Sequence, residues 1–378
     1  MRTLMFFPGA LGDFLCLLPG LVAFAEAAPS TSQLTLVAKP ELLSLLDLND
    51  VAALGRARRP GSPASVDSQQ PLDVAALGRA RRPGSPAAVN HLRRGYVGPA
   101  RRQLHARLVS IDRAEIAALF SGTLPVPSHT ATLLGGFEVA HSWTGYGDAE
   151  FAAALNSLGP RAFIHRFRPE AEHAVDYYAR CLQTSPAATE AVREVIACDD
   201  ASLAAIEPHC DLRGGPLIAI HPGSGSPGKN WLGFAELMPL LRQQLPGCVI
   251  AALLGPAELE GGVSLETDVT IATPQLSEVA AILRRAAFYI GNDAGISHLA
   301  GALGTPGLAL FADTDPAIWA PRGPIEVVQA RRRCSTCRPR TFCTHRLTPS
   351  EVAAAFVRSL APRAFFARGG GEWATRRR

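Results

Sequence analysis

The strongest constraint in this chain is a pattern found in both halves: a short apolar run, a glycine-bearing turn, then a stretch with helical periodicity. Residues 3–7, TLMFF, run into Pro8-Gly9-Ala10-Leu11-Gly12-Asp13. Leu217–Ile220 runs into the loop His221–Gly228, and Ala286–Ile290 into Gly291–Ser297. Continuous apolar runs of this length mark strands buried on both faces, and strands joined through helices pair in parallel. The chain is therefore read as α/β, with two open, mostly parallel sheets. Its 378 residues agree with a default of two domains.

The first unit is read as residues 1–200 and the second as 211–346, with a polar, Gly/Pro-marked junction over 198–215. A final helix follows over 347–364, capped by Thr348-Pro349-Ser350-Glu351, and 365–378 reads as a frayed tail. One segment breaks the alternation. Asp50–Ala64 recurs letter for letter as Asp73–Ala87. Two copies are too few to stack as a solenoid, so 50–102 reads as a mobile, arginine-rich surface insertion in the first domain.

A formal net charge of +4 suits an anionic substrate or an acidic membrane surface and does not call for nucleic acid. No apolar stretch reaches the 18 residues of a membrane span. Pro8, Gly9, Gly12 and Asp13 interrupt the apolar N-terminal segment where a signal peptide needs an unbroken core, so residues 3–28 read as strand, loop and helix. Cysteines scattered singly point to reduced, intracellular usage. The expected location is cytoplasmic, with peripheral contact at the inner membrane as the one membrane option. Cys334, Cys337, Cys343 and His345 depart from that scatter. Their spacing makes them a candidate ligand set for structural zinc or iron, or else a group of free or redox-active thiols.

Three loops carry chemistry. In Pro8–Asp13, two glycines permit a tight backbone, and Asp13 at the helix start is either a first-turn cap or a general base for a hydroxyl. In His221–Trp231, Ser224, Gly225 and Lys229 form an anion cradle without the Gly-Lys-Ser/Thr order of a nucleotide P-loop. In Gly291–His298, Asp293 is a candidate ligand for sugar hydroxyls, and the N–H groups following Ala294 and Gly295 are candidates for phosphate. His298 is a phosphate partner or a structural side chain. Thr314 and Asp315, after a later strand, are further candidate donor contacts.

These motifs stand in the order FFPGALGD (6–13), HPGSGSPGKNW (221–231), GNDAGISHLAGALGTP (291–306) and DTDPAIWAPRG (313–323). In this the chain resembles the lipopolysaccharide heptosyltransferases of glycosyltransferase family 9, over about residues 2–24 and 217–324. The resemblance implies a GT-B fold of two Rossmann-like domains facing across a cleft. It implies inverting transfer that requires no metal, with ADP-heptose as donor and a hydroxyl of the lipopolysaccharide inner core as acceptor. Asp13 is then the base, Lys229 neutralises the leaving phosphate, and Gly12, Asp293, Ala294 and Gly295 line the donor site. Two positions depart from the pattern: Ala294 stands where the family has Ser or Thr, and Ala312 where it has Gly. Two alternatives stay open: a same-fold transferase with another nucleotide-sugar or a protein or metabolite acceptor, and a non-catalytic nucleotide-sugar binding protein.

Overall fold

The computed structural model describes residues 1–29, 31–43, 45–46, 105–198, 215–272, 274–312, 314–329 and 346–360. The duplicated segment, the cysteine–histidine cluster at 334–345, Asp313 and the tail beyond 360 lie outside the described residues.

The first sheet is built from β1 (Arg2–Phe6), β2 (Gln33–Ala38), β3 (His105–Ser110), β4 (Val139–Ser142) and β5 (Ala162–Ile164), in the order β3-β2-β1-β4-β5. Every pairing is parallel; Thr3, for example, is in register with Leu34 on one side and Val139 on the other. Its helices are α1 (Leu11–Ala27), α2 (Pro40–Leu43), α3 (Ala114–Ala117), α4 (Ser128–Leu134), α5 (Ala149–Leu158), α6 (Ala174–Cys181) and α7 (Thr189–Val195).

The second sheet uses β6 (Leu217–His221), β7 (Val249–Leu254), β8 (Val269–Ala272), β9 (Phe288–Asn292), β10 (Gly307–Phe311) and β11 (Ile325–Gln329). Their order is β11-β10-β9-β6-β7-β8, again all parallel. The helices here are α8 (Phe234–Gln244), α9 (Pro256–Glu260), α10 (Leu276–Arg285), α11 (Gly295–Leu303), α12 (Pro316–Trp319) and α13 (Pro349–Leu360). In both sheets the chain winds outward from the first strand and then returns to its other side. This is the doubly wound order of Rossmann-like domains, and the GT-B expectation of two such units is met. Val352 and Phe356 of α13 pack with Ile218, Ile290 and Leu308, so the last helix completes the second unit.

Apolar runs in the sequence announce the strands buried almost throughout, β1, β6, β9 and β10, and also the edge strands β5 and β8. β11 was not foreseen. It lies at a sheet edge, every residue is only half-buried, and its composition has no continuous apolar run to betray it. α4 was missed for a related reason, since Ser128-His129-Thr130 opens it with polar and β-branched residues that favour turns.

One apolar cluster joins the two units. It runs from Phe14, Leu18 and Tyr178 in the first to Ala219, Ile282, Tyr289 and Leu299 in the second. Within the first unit, α1 and α6 approach at the backbone: a Cβ on Gly20 of α1 would sit 2.8 Å from Cα of Ala179 in α6.

Candidate active site

In open α/β sheets ligands bind outside the carboxyl ends of the strands, where the strand order reverses. Those points are the β1/β4 and β6/β9 boundaries. The three chemistry-bearing loops leave β1, β6 and β9, so all three sit at the reversal points.

Asp13 lies in the first turn of α1, where its Oδ2 accepts a hydrogen bond of 3.2 Å from the Ala10 N–H. It therefore caps the helix start, as its residue type suggests. It is also half-buried, and desolvation raises its pKa above the usual carboxylate value despite that hydrogen bond and the cations Arg168, Lys39 and Lys229. Gly9 is required here, because a Cβ would meet the Phe7 ring on one side and, at 2.8 Å, the Asp13 Cβ on the other. Lys39 follows β2. Arg168 follows β5 on a segment held by the Phe167 ring against Phe7, centroids 5.9 Å apart, and by the Tyr178 hydroxyl donating to the Phe167 carbonyl at 2.9 Å. Neither cation has a hydrogen bond or ion pair among the described residues. The sequence reading passed over both, because an isolated Lys or Arg at a strand end carries no pattern.

Across from Asp13 stands the N-terminus of α11. Gly12 and Gly295 face each other there: a Cβ on Gly295 would lie 2.8 Å from the Leu11 Cβ and 3.0 Å from the Gly12 N. The starts of the two helices, where N–H groups are left free and the positive dipole ends lie, are thus in contact. Ala294 is the N-cap of α11, extended and buried, and makes no side-chain cap bond.

Lys229 ends a 3-10 turn, Pro227–Lys229, and its Nζ lies 2.7 Å from Asp293 Oδ2. Asp293 is only 7% exposed and Lys229 one-third exposed, so the ammonium reaches the rim while the carboxylate lies beneath it. The Ser224 hydroxyl is engaged inside its own loop, 2.6 Å from both the Ser226 carbonyl and Asn230 Oδ1, and accepts from the Ser226 N–H. Gly225 is exposed, and a Cβ there would meet nothing within 4 Å. Gly223 is the crowded glycine of this loop, backed by the buried Glu258 carboxylate, which also accepts from the Gly255 N–H at 2.8 Å.

His298 lies inside α11 with its Nδ1 3.6 Å from the Cys16 thiol of α1. Burial depresses its pKa to about 4, with Asp293 pulling the other way, so the imidazole is neutral near pH 7 and brings no positive charge. It borders a cavity of about 310 Å³ between α1, α6, α7 and α11. Thr314 is half-buried, and Asp315 caps α12 by accepting from the Ala317 N–H at 2.9 Å. The segment after α12 is pinned to the first unit: His173 Nε2 donates to the Ala320 carbonyl at 2.9 Å and Arg322 pairs with Asp176 at 2.6 Å. Among the described residues no group of three or more metal-ligating side chains occurs, and no helix is long and apolar enough to cross a membrane.

The site therefore sets a half-buried carboxylate of one unit against a helix N-terminus and a lysine of the other. Known proteins of this architecture are found among solved structures. A family 9 glycosyltransferase from Veillonella parvula matches at 17% identity with a TM-score of 0.63, covering 96% of this chain and 97% of that one. The E. coli heptosyltransferase WaaC with ADP matches at 17% identity and 0.57, covering 95% and 100%. TibC, an iron-containing dodecameric glycosyltransferase from enterotoxigenic E. coli, matches at 15% and 0.53, covering 96% of this chain and 76% of TibC. These likenesses show the fold. A comparison with curated proteins returns no significant match. The model of glycosyltransferase family 9 (heptosyltransferase) matches residues 151–346, just over half of the 378 residues and including the loops with Lys229 and Asp293. On that match the chain belongs to glycosyltransferase family 9.

Proposed function

We propose that this family 9 glycosyltransferase is an inverting enzyme that moves a heptose from ADP-heptose to a hydroxyl of the lipopolysaccharide inner core. The observation that carries the reading is the opposition of Asp13 to the α11 N-terminus and Lys229 across the interdomain contact. Asp13 takes the proton of the acceptor hydroxyl as its oxygen bonds to the anomeric carbon. The bond from that carbon to the diphosphate oxygen breaks, and ADP leaves with the electron pair toward Lys229 and the N–H groups after Ala294. Raised basicity suits Asp13 to the first task, and a preformed positive site suits Lys229 and α11 to the second. In the free protein Asp293 holds Lys229 where the diphosphate would take over as its partner. WaaC with ADP and with an ADP-linked fluoroheptose among the structural neighbours supports an adenine-linked donor.

We further propose that Cys334, Cys337, Cys343 and His345 bind iron or zinc outside the transfer chemistry. The spacing supports this, as does the iron content of TibC. Metal analysis of protein purified without added metal tests it, and a metal-free chain with four unmodified side chains would refute it. The location proposed is cytoplasmic, with the basic chain touching an acidic membrane surface peripherally.

The deciding experiment is nucleoside-diphosphate release from ADP-, GDP-, UDP- and TDP-linked sugars with and without a lipopolysaccharide-core acceptor. Release from ADP-heptose that depends on the acceptor supports the reading. Release from another donor, or with a protein acceptor alone, replaces it with a same-fold transferase of different specificity.

A further inference from the structure

Asn292, the last residue of β9, is completely buried and took no part in the reading of the sequence. Its Nδ2 donates to the carbonyls of Pro222, at 2.6 Å, and Gly223, at 3.3 Å. Its Oδ1 accepts from the Trp231 N–H at 3.1 Å. One side chain therefore holds both ends of the segment 224–230, the entrance at Gly223 and the exit at Trp231. That segment carries Lys229 and leaves Lys229 pairing with Asp293, the residue after Asn292. The exit is fixed again from outside, since Trp231 Nε1 donates to the Leu347 carbonyl at 2.8 Å and its ring packs on Phe234. The backbone of Asn292 is held too, its carbonyl accepting from the Ser297 hydroxyl at 2.6 Å, and Ser297 in turn meets the Tyr289 hydroxyl at 3.0 Å.

We propose that Asn292 is the positioning residue of the donor site. By clamping both ends of the lysine-bearing loop to the strand that carries Asp293, it sets Lys229 where the donor phosphates bind. The proposal rests on the assignment of Lys229 to those phosphates. Its physical basis is that a buried amide offers two donors and an acceptor in one plane, whereas an ion pair such as Lys229–Asp293 leaves a flexible four-carbon stem free to wander unless its backbone is fixed. Asp in this place keeps the acceptor for Trp231 but sets a carboxylate against two carbonyl oxygens. Ala loses all three bonds and leaves three buried polar groups unmatched.

The test uses Asn292→Asp and Asn292→Ala in the full chain, each with and without Lys229→Ala. ADP affinity is measured by calorimetry, and acetylation of the Lys229 amine is followed by mass spectrometry. Expected are a loss of ADP affinity of about tenfold or more in Asn292→Asp, no further loss when Lys229→Ala is already present, and faster acetylation of Lys229. Additive losses in the double variant, or a wild-type acetylation rate at Lys229 in a folded Asn292 variant, overturn the proposal. Should wild-type protein fail to bind ADP, the phosphate assignment of Lys229 falls, while the acetylation rate still decides whether Asn292 positions the lysine. If Asn292→Ala does not fold, Asn292→Asp, which conserves shape, supplies the answer.

Discussion

Asp13 is placed so that two roles, cap and base, are open to it, and its residue type alone leaves them undecided. It caps the start of α1 through the Ala10 N–H, and it is half-buried against the other unit with its pKa raised by desolvation. A cap role predicts a stability defect on substitution; a base role predicts loss of turnover. Asp13→Asn keeps the shape and an acceptor oxygen for Ala10 but removes the basic carboxylate. It is expected to lower kcat by about 10²–10⁴-fold with ADP affinity retained; an equal loss of ADP affinity would point away from the base. Because only the ionised form accepts a proton, activity falls on acidification through the Asp13 pKa. The acid limb of the pH–rate profile is expected above the usual aspartate range, and a limb at the ordinary value would contradict the burial described here. Asp13, Lys229 and Asp293 stand out in the sequence as candidates because loop chemistry next to a strand end is a local signal. Asn292 was not, although it stands in the same run, because its role depends on backbone groups of a segment some seventy residues earlier. The Ser224 hydroxyl shows the converse: its type suggested a phosphate donor, and its bonds are spent inside its own loop.

Between elements, two features carry measurable consequences. The first is the contact of α1 with α6 at Gly20. An alanine Cβ there would press on Ala179 backbone, which cannot yield as a flexible side chain would. Gly20→Ala is expected to destabilise the protein by about 1–3 kcal/mol, read from denaturant unfolding, even though alanine has the better helix propensity; a neutral or stabilising result would mean the two helices can part at little cost. The second is the imidazole pair between β4 and β5. His141 Nδ1 lies 3.1 Å from His165 Nε2, the rings stacked 5.4 Å apart. Burial lowers both pKa values to about 4, helped by His165 at His141 and by Arg180 at His165. In the unfolded chain both titrate near 6.5, so their contribution is complete above that pH and is lost as pH falls from about 6.5 toward 4. Unfolding free energy is expected to drop across that window, and His141→Gln to flatten the drop. A wild-type curve level from pH 7 to 4.5 would show the pair to be absent in solution. Strand existence was readable from short apolar runs, at the half-buried edge strand β5 as well as in the buried centre of each sheet. It failed at β11, where Glu326 breaks the run after Ile325 and leaves only Val327-Val328.

At the scale of the whole molecule, sequence periodicity yields two sheets but not their junction, because that surface is assembled from helices distant in the chain. The junction is where Phe14, Leu18 and Tyr178 share a core with Ile282, Tyr289 and Leu299. Two units sharing one apolar interior lose it together. Heating should therefore produce a single calorimetric transition whose measured enthalpy equals the van't Hoff value, as for one cooperative body. Two resolved peaks would show that the halves melt independently. The facing N-termini at Gly12 and Gly295 add a linkage. On the proposed assignment, a diphosphate bound beside this contact, against the α11 N-terminus and Lys229, would reach both halves and hold the seam shut as well as occupy the site. At a ligand concentration a hundred times Kd, mass action raises unfolding free energy by about 2.7 kcal/mol. The shared interior spreads that gain over the whole chain, so the nucleotide should protect the far edge of the first sheet from proteolysis as fully as the loops it touches.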